Sequence, residues 1–266
     1  MTEALKVRVG VSFFIIIFAP MNKTANYRFT ILSPVFNEEG NIARLASELD
    51  AFLKVSIEPS VCVLFVNDGS ADASLELIKK ECAQREHFYY LSLAKRSGLS
   101  GAIKAGFDYC CSEYVGYIDA DLQTAPEDFN LLLPHISEYP LVMGIRANRK
   151  DSAWKNFQSK FANGFRKMFT HDGAIDTGCP LKILRTEYAK RIPMFTGMHR
   201  FFPALIQLQQ GGKMMQIPVR HFPRTAGVSK YNVWNRLIGP MKDCFAYRWM
   251  KKRYINYSVG EDNLQS

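Results

Sequence analysis

Two aspartates, Asp119 and Asp121, stand two residues apart in the run Tyr117-Ile118-Asp119-Ala120-Asp121-Leu122-Gln123. Side chains at that spacing on an extended chain project to the same side, so both carboxylates can meet one ligand, and Gln123 continues the period with a neutral oxygen. Hard oxygen donors of this kind suit Mg²⁺ or Mn²⁺ shared with a diphosphate. A cation held there offsets the charge that builds on a departing diphosphate. Two acids near a turn are commonplace, so the pair gains weight only from its surroundings.

Those surroundings are a series of apolar runs alternating with helical ones. Phe29–Val35, Val61–Val66, Phe88–Leu93, Tyr114–Ile118 and Leu141–Ile145 read as buried strands. Between them, helices are expected from Glu38 to Val55 with Asn37 as its cap, from the turn Asn67-Asp68-Gly69-Ser70 to Gln84, from Gly98 to Cys111, and after Pro126. Near-continuous apolar strands alternating with helices indicate an α/β fold, a mostly parallel sheet covered on both faces. Ligands of such sheets bind beyond the carboxyl ends of the strands. Asn37-Glu38, Asp68-Gly69-Ser70, Lys95-Arg96, Asp119-Ala120-Asp121 and Arg146 all follow strands, which assigns them to one rim. After Asp151 the pattern changes to an amphipathic helix from Trp154 to Phe169, a turn at Asp176-Thr177-Gly178, a strand at Ile217–Val219, and a helix from Val233 to Lys252 interrupted at Pro240.

Charge is distributed unevenly. The chain has 266 residues and a formal net charge of +9, yet residues 181–253 hold fifteen lysines and arginines against Glu187 and Asp243 alone. The remainder is therefore net acidic, and the basic stretch points to a polyanionic partner. No nucleic-acid motif accompanies it. Phe245-Ala246-Tyr247-Arg248-Trp249-Met250-Lys251-Lys252-Arg253 mixes aromatics with bases, as helices lying in a lipid headgroup layer do. The run Phe13–Phe18 is shorter than the roughly 20 residues that cross a bilayer. It reads as a signal-like segment without a small-residue cleavage site, or as an extension upstream of Met21. Six cysteines without Cys-x-x-Cys spacing indicate free thiols in a reducing compartment. His171, His199 and His221 are expected to be structural.

Ile31-Leu-Ser-Pro-Val-Phe-Asn-Glu-Glu39, Val66-Asn-Asp-Gly-Ser-Ala-Asp-Ala-Ser74 and Tyr117-Ile-Asp-Ala-Asp-Leu-Gln-Thr-Ala-Pro-Glu-Asp128, taken in order, resemble the inverting GT-A glycosyltransferases of family 2. Gly144-Ile-Arg146, Ser159 with Asn163, Asp176-Thr-Gly178 and Arg224-Thr-Ala-Gly-Val-Ser-Lys230 extend the resemblance toward the polyprenyl-phosphate sugar synthases, and it covers roughly residues 28–250. It implies a Rossmann-like GT-A sheet with an appended basic helical segment. The organisation that follows is an N-terminal extension (1–26), a catalytic unit with the nucleotide-sugar site (27–180), an acceptor- and membrane-facing part of the same domain (181–253) and a polar tail (254–266). By resemblance, Pro34, Phe36, Glu38 and Asp68 hold the nucleotide; Asp119, Asp121 and Gln123 hold the metal and donor; and Arg224 and Lys230 grip the diphosphate. Arg146, Lys155, Ser159 and Lys160 hold the acceptor phosphate, and Asp176 lies near the sugar, with Asp121, Asp176 and Arg146 as the catalytic set.

The implied reaction moves a sugar from a UDP- or GDP-sugar to a polyprenyl phosphate at the cytoplasmic face of a membrane, or in the cytoplasm, without a spanning helix. A phosphate acceptor is already an anion, so it needs cations and alignment more than a strong base. Arg146, Lys155, Lys160, Arg224 and Lys230 meet that demand. A saccharide or protein acceptor is the alternative, and an inactive membrane-surface module is the alternative of another class. Three positions depart from the usual pattern: Asn67 replaces an aspartate, Phe36 replaces a tyrosine, and Lys95-Arg96-Ser97-Gly98 replaces Asn-x-Gly. The sequence sets neither the sugar nor an oligomeric state.

Overall fold

The computed structural model describes residues 4–9, 12–17, 22–146, 164–223, 233–257 and 260–261. Two short strands, β1 (Ala4–Val9) and β2 (Ser12–Ile17), pair antiparallel as a hairpin of their own. The stretch read from sequence as a signal-like segment or upstream extension therefore takes part in a sheet in its own right.

The main sheet has seven strands in the order β5-β4-β3-β6-β8-β7-β9. They are β3 (Phe29–Val35), β4 (Val61–Asn67), β5 (Phe88–Ser92), β6 (Tyr114–Tyr117), β7 (Leu141–Arg146), β8 (Lys182–Arg185) and β9 (Met214–Val219). All run parallel except β8, which lies antiparallel between β6 and β7. Alternation along the strands sends side chains to two cores. Phe29, Ile31 and Val35 of β3 and Val61, Val63 and Phe65 of β4 meet α1 (Ile42–Val55) and α4 (Phe129–Leu132) on one face. On the other face, Leu32, Leu64 and Val66 meet α3 (Gly98–Tyr109) and the later helices. These are α5 (residues 164–170), α6 (Thr186–Lys190), α7 (Phe202–Leu208) and α8 (Val233–Arg253); α2 (Ser74–Gln84) packs against β5.

Three local expectations are revised. The first helix begins at Ile42, not Glu38, because Asn37 takes φ 50° and leaves the helical path. Its amide donates to Ser70 Oγ (3.0 Å) and its side-chain oxygen accepts from the Ala71 amide (2.9 Å), so the residue ties two rim loops together instead of capping. Second, β8 was not anticipated: four residues inside a mixed stretch give too short a periodic signal. Third, α8 runs through Pro240 without a break. Proline there forgoes one intrahelical hydrogen bond, and the buried anchors Cys244 and Tyr247 downstream hold the helix against the body.

Pro34 raises the opposite question, since a proline within a central strand removes a ladder donor. The β3–β6 ladder ends at Leu32↔Tyr117, so beyond that point the flank of β3 facing β6 pairs with no strand. Proline is tolerated where that ladder stops. The chain of β6 turns away there toward Asp119.

Beneath the later helices, the buried guanidinium of Arg166 in α5 pairs with the buried Asp172 and also donates to Thr170 Oγ1 (3.2 Å) and the Ala174 carbonyl (3.2 Å). This staple fixes the loop 171–175, and the chain then enters Asp176 and β8.

Candidate functional site

The rim over β3, β4 and β5 is built by carboxylates and amides that bind one another. Asp68 follows β4, and its two oxygens accept from the amides of Ser97 (2.6 Å) and Gly98 (2.8 Å), the open donors at the start of α3. Buried in this cap, Asp68 positions the loop after β5. Asn67 keeps its side chain inward, donating to Ser92 Oγ (3.0 Å) and accepting from the Ser70 amide (3.2 Å). Its substitution for aspartate is thus absorbed in a local hydrogen-bond network. Glu38 accepts from Asn41 Nδ2 (2.7 Å), while its amide donates to Ser74 Oγ (2.9 Å). Pro34 is buried in β3, and Phe36, half-buried just beyond it, lies under the Arg96 guanidinium at 4.1 Å from the ring centroid.

Next along the rim, β6 delivers the aspartate pair. Tyr117 donates its hydroxyl to Asp119 Oδ1. Leu122 takes φ 54°, a conformation that is uncommon for a branched side chain, and turns the chain sharply. That turn brings the Gln123 amide back onto Asp121 Oδ1 (3.2 Å). The Gln123 carbonyl accepts from the Phe222 amide (2.9 Å) and from His221 Nδ1 (3.0 Å), so that histidine nitrogen carries its proton and braces the loop. Burial first, and the neighbouring Asp121 charge second, push the Asp119 carboxyl up to about 6. Two carboxylates crowded in this way repel each other, and a divalent cation between them would relieve the repulsion. The two carboxylates offer hard oxygen donors, and that chemistry fits Mg²⁺ or Mn²⁺.

Across β8 the third part assembles. Arg146, at the end of β7, grips Asp176 as a fork: Nε donates to Oδ2 (2.7 Å), a terminal nitrogen to Oδ1 (2.8 Å), and the Arg146 amide also to Oδ2 (3.2 Å). Burial alone would raise the Asp176 carboxyl, but the hydrogen bonds and charge of Arg146 outweigh it and hold the group below its ordinary value. Gly178 leaves room for the fork, because a Cβ there would lie 2.8 Å from the guanidinium.

Sequence reasoning missed Lys182. This fully buried first residue of β8 donates to the carbonyls of Cys179 and Thr177 and stands 5.6 Å from the Tyr117 ring centroid. Burial lowers its ammonium below the ordinary lysine value, although Cys179, Asp176 and Asp119 pull the other way. It is a buried amine close enough to Asp176 and Asp119 to interact with both carboxylate groups. A single lysine inside the apolar run Leu181-Lys182-Ile183-Leu184 is the signal that could have found it, since lysine is almost never fully buried unpaired.

His199 accords with its expected structural role: burial, then Arg200 and Lys182, depress it to about 3, and its Nδ1 meets Ser100 Oγ at 2.7 Å. The predicted rim is therefore real for Glu38, Asp68, Arg96, Asp119, Asp121 and Arg146, with Asp176 joined to the last. Lys155, Ser159, Lys160, Arg224 and Lys230 lie outside the described residues.

Comparison with known proteins places this geometry in context. The model of glycosyl transferase family 2 matches residues 30–200. The dodecaprenyl-phosphate galacturonate synthase of Rhizobium johnstonii is 30% identical over 77% of this chain and 62% of its own length. The undecaprenyl-phosphate 4-deoxy-4-formamido-L-arabinose transferase of Pectobacterium carotovorum is 32% identical over 80% of this chain and 65% of its own. The chain thus spans just under two thirds of these relatives. Among solved structures, glucosyl-3-phosphoglycerate synthase of Mycobacterium tuberculosis, in complex with Mn²⁺ and UDP-glucose among others, aligns with a TM-score of 0.63, 13% identity, and coverage of 91% of this chain and 86% of that one. A mannosyltransferase of Pyrobaculum calidifontis in complex with GDP-mannose and Mn²⁺ aligns with a TM-score of 0.58, 15% identity, and coverage of 87% and 66%.

Proposed function

The chain belongs to glycosyl transferase family 2, and we propose that it transfers a sugar from a UDP- or GDP-sugar to a polyprenyl phosphate, with inversion at the sugar. The observation that carries this reading is a crowded carboxylate pair at the end of β6 and, across β8 on the same rim, the guanidinium of Arg146 held as a fork by Asp176. Such a site suits a reaction between two phosphorylated partners. The names of the two relatives above support the acceptor.

Asp119 and Asp121 would hold Mg²⁺ or Mn²⁺ together with the donor's diphosphate. Bound there, the cation offsets the charge gathered on the departing nucleoside diphosphate. Tyr117 fixes the orientation of Asp119, and the Leu122 turn fixes Asp121. Arg146, aimed by Asp176, would present positive charge to the acceptor phosphate on the opposite side of the anomeric carbon. There an acceptor phosphate oxygen forms its bond to that carbon as the bond to the diphosphate breaks. The acceptor is an anion before it arrives, so no residue has to remove a proton from it.

The acceptor's lipid tail implies a membrane surface, although no helix among the described residues is long and apolar enough to cross a membrane. The last turns of α8 and the end of α5 supply the contact. Phe245 and Trp249 are 59% and 63% exposed, Met168 of α5 is exposed as well, and the Arg253 guanidinium lies 5.1 Å from the Trp249 ring. Phe245 also packs edge-on against Phe169 at 5.0 Å, which holds the two helices as one face. Cosedimentation with vesicles of phosphatidylglycerol and phosphatidylcholine is expected to capture the protein. Joint Phe245→Ser and Trp249→Ser changes should weaken capture by about tenfold or more, given what burial of such side chains contributes. Equal capture of the variant removes this face from the reading.

The function itself is tested by offering labelled UDP- and GDP-sugars with polyprenyl phosphate and Mn²⁺ or Mg²⁺. Label moving into the organic phase from one donor is the expected result. Transfer only to a soluble saccharide would replace the acceptor, and no transfer from any nucleotide sugar would overturn the assignment.

A further inference from the structure

The residues that read the donor's base can be sought by following the rim outward from the aspartate pair. Strands β6, β3, β4 and β5 are consecutive neighbours, about 4.8 Å apart as in any sheet. A diphosphate held beyond β6 leaves its nucleoside two directions. Toward β8 and β7 stand Arg146, Asp176 and Lys182, a charged and hydrogen-bonded environment. Toward β3 and β4 stands Arg96 over Phe36, a cation–aromatic stack whose cation is exposed, unlike the buried contact of Lys182 with Tyr117.

That stack is held by the fold. The loop carrying Arg96 is pinned by the Asp68 cap on Ser97 and Gly98, and it rests directly on Gly69. A Cβ at Gly69 would stand 2.7 Å from the Arg96 amide nitrogen, and its φ of 64° already favours glycine. The loop after β5 is thereby drawn across the end of β4 until the guanidinium reaches the ring that follows β3. Arg96 itself is exposed and forms no ion pair with a described residue, so its N–H groups can serve a ligand at the rim. A guanidinium offers donors only. It complements O4 of uracil or O6 of guanine, and at the corresponding position it meets the amino group of cytosine or adenine.

We infer that Arg96, stacked on Phe36, selects the donor's nucleobase by donating to O4 of uracil or O6 of guanine, so that bases with an amino group at that position, cytosine and adenine, are refused. This rests on the nucleotide-sugar reading above and adds a specificity determinant to it. The usual motif at this loop carries asparagine where this chain has Arg96, so the readout is a property of this chain's own residue.

Calorimetric titration of the full chain, with Mn²⁺ present, tests it using UDP, GDP, CDP and inorganic pyrophosphate. Wild type is expected to bind UDP or GDP more tightly than CDP. Arg96→Ala should weaken the preferred nucleotide by about tenfold, leave pyrophosphate and CDP unchanged, and so erase the base preference. Arg96→Lys, which keeps the charge and loses the planar fork, should behave like alanine. An unchanged thermal midpoint is expected in both, because the side chain is exposed. Equal losses for pyrophosphate and nucleotide would overturn the inference by making Arg96 a diphosphate ligand, as would unchanged nucleotide affinity or full rescue by lysine. Wild type binding pyrophosphate but no nucleotide would overturn it while sparing the metal site; wild type binding neither would overturn the donor reading itself.

Discussion

Asp121→Ala is expected to reduce sugar transfer by about a thousandfold or more while the fold survives. The argument is one of magnitudes. A cation bound against a departing diphosphate contributes several kcal/mol to the transition state, and each 1.36 kcal/mol is a factor of ten in rate, so losing about 4 kcal/mol gives that factor. Stability should move little, because the substitution also ends the repulsion from Asp121 that contributes to raising the Asp119 carboxyl to about 6. The Gln123 amide loses its carboxylate acceptor, but the Gln123 carbonyl keeps its bonds to Phe222 and His221, which preserve the loop. Mn²⁺ affinity, read by calorimetry, should fall in parallel with turnover. An enzyme that turns over undiminished without Asp121 would dispose of the metal assignment.

The second large effect belongs to Arg146. Arg146→Ala removes a two-bond fork from a carboxylate that is mostly buried, at 12% side-chain exposure, leaving Asp176 with the backbone amide as its remaining partner in that set. Breaking such a pair from one side costs about 3 kcal/mol, the low end of the range for buried pairs because some solvent reaches both groups. A lower urea midpoint is therefore expected. Alongside it, KM for polyprenyl phosphate should rise about tenfold or more while KM for the nucleotide sugar holds, because a charge-assisted contact to phosphate is lost. Acceptor kinetics that stay put in a destabilised protein would make Arg146 a purely structural partner of Asp176. Arg146→Lys separates the two roles: it keeps a cation for the acceptor but cannot reproduce the planar fork.

Much of the arrangement could be read before any coordinates. The buried parallel strands declared themselves as apolar runs, and the rule that ligands gather beyond their carboxyl ends correctly brought Glu38, Asp68, Arg96, Asp119, Asp121 and Arg146 to one edge. What could not be read was how those groups use one another. Asp68, assigned by resemblance to the nucleotide, spends both oxygens on the start of α3. Asn37 offered the chemistry of a helix cap and instead bridges to Ser70 and Ala71, because its left-handed backbone depends on a loop more than thirty residues away. Lys182 was counted only as part of a basic stretch; that it is buried follows from a four-residue strand whose pairing partners lie far off in sequence. Local pattern reports what a residue offers. Tertiary context decides what takes it.

The reversed strand β8 has a consequence for how the protein comes into being. During synthesis β5, β4, β3 and β6 can zip together as soon as residue 117 has emerged, since each has a neighbour already made. Strand β7 cannot, because its only neighbours, β8 and β9, are encoded 36 or more residues later than its own end at Arg146. Contacts closed over such separations form late. The nascent chain therefore has the half of the rim that carries Asp68 and the Asp119–Asp121 pair before the half that carries Arg146 and Asp176, and β8 is the stitch that joins them.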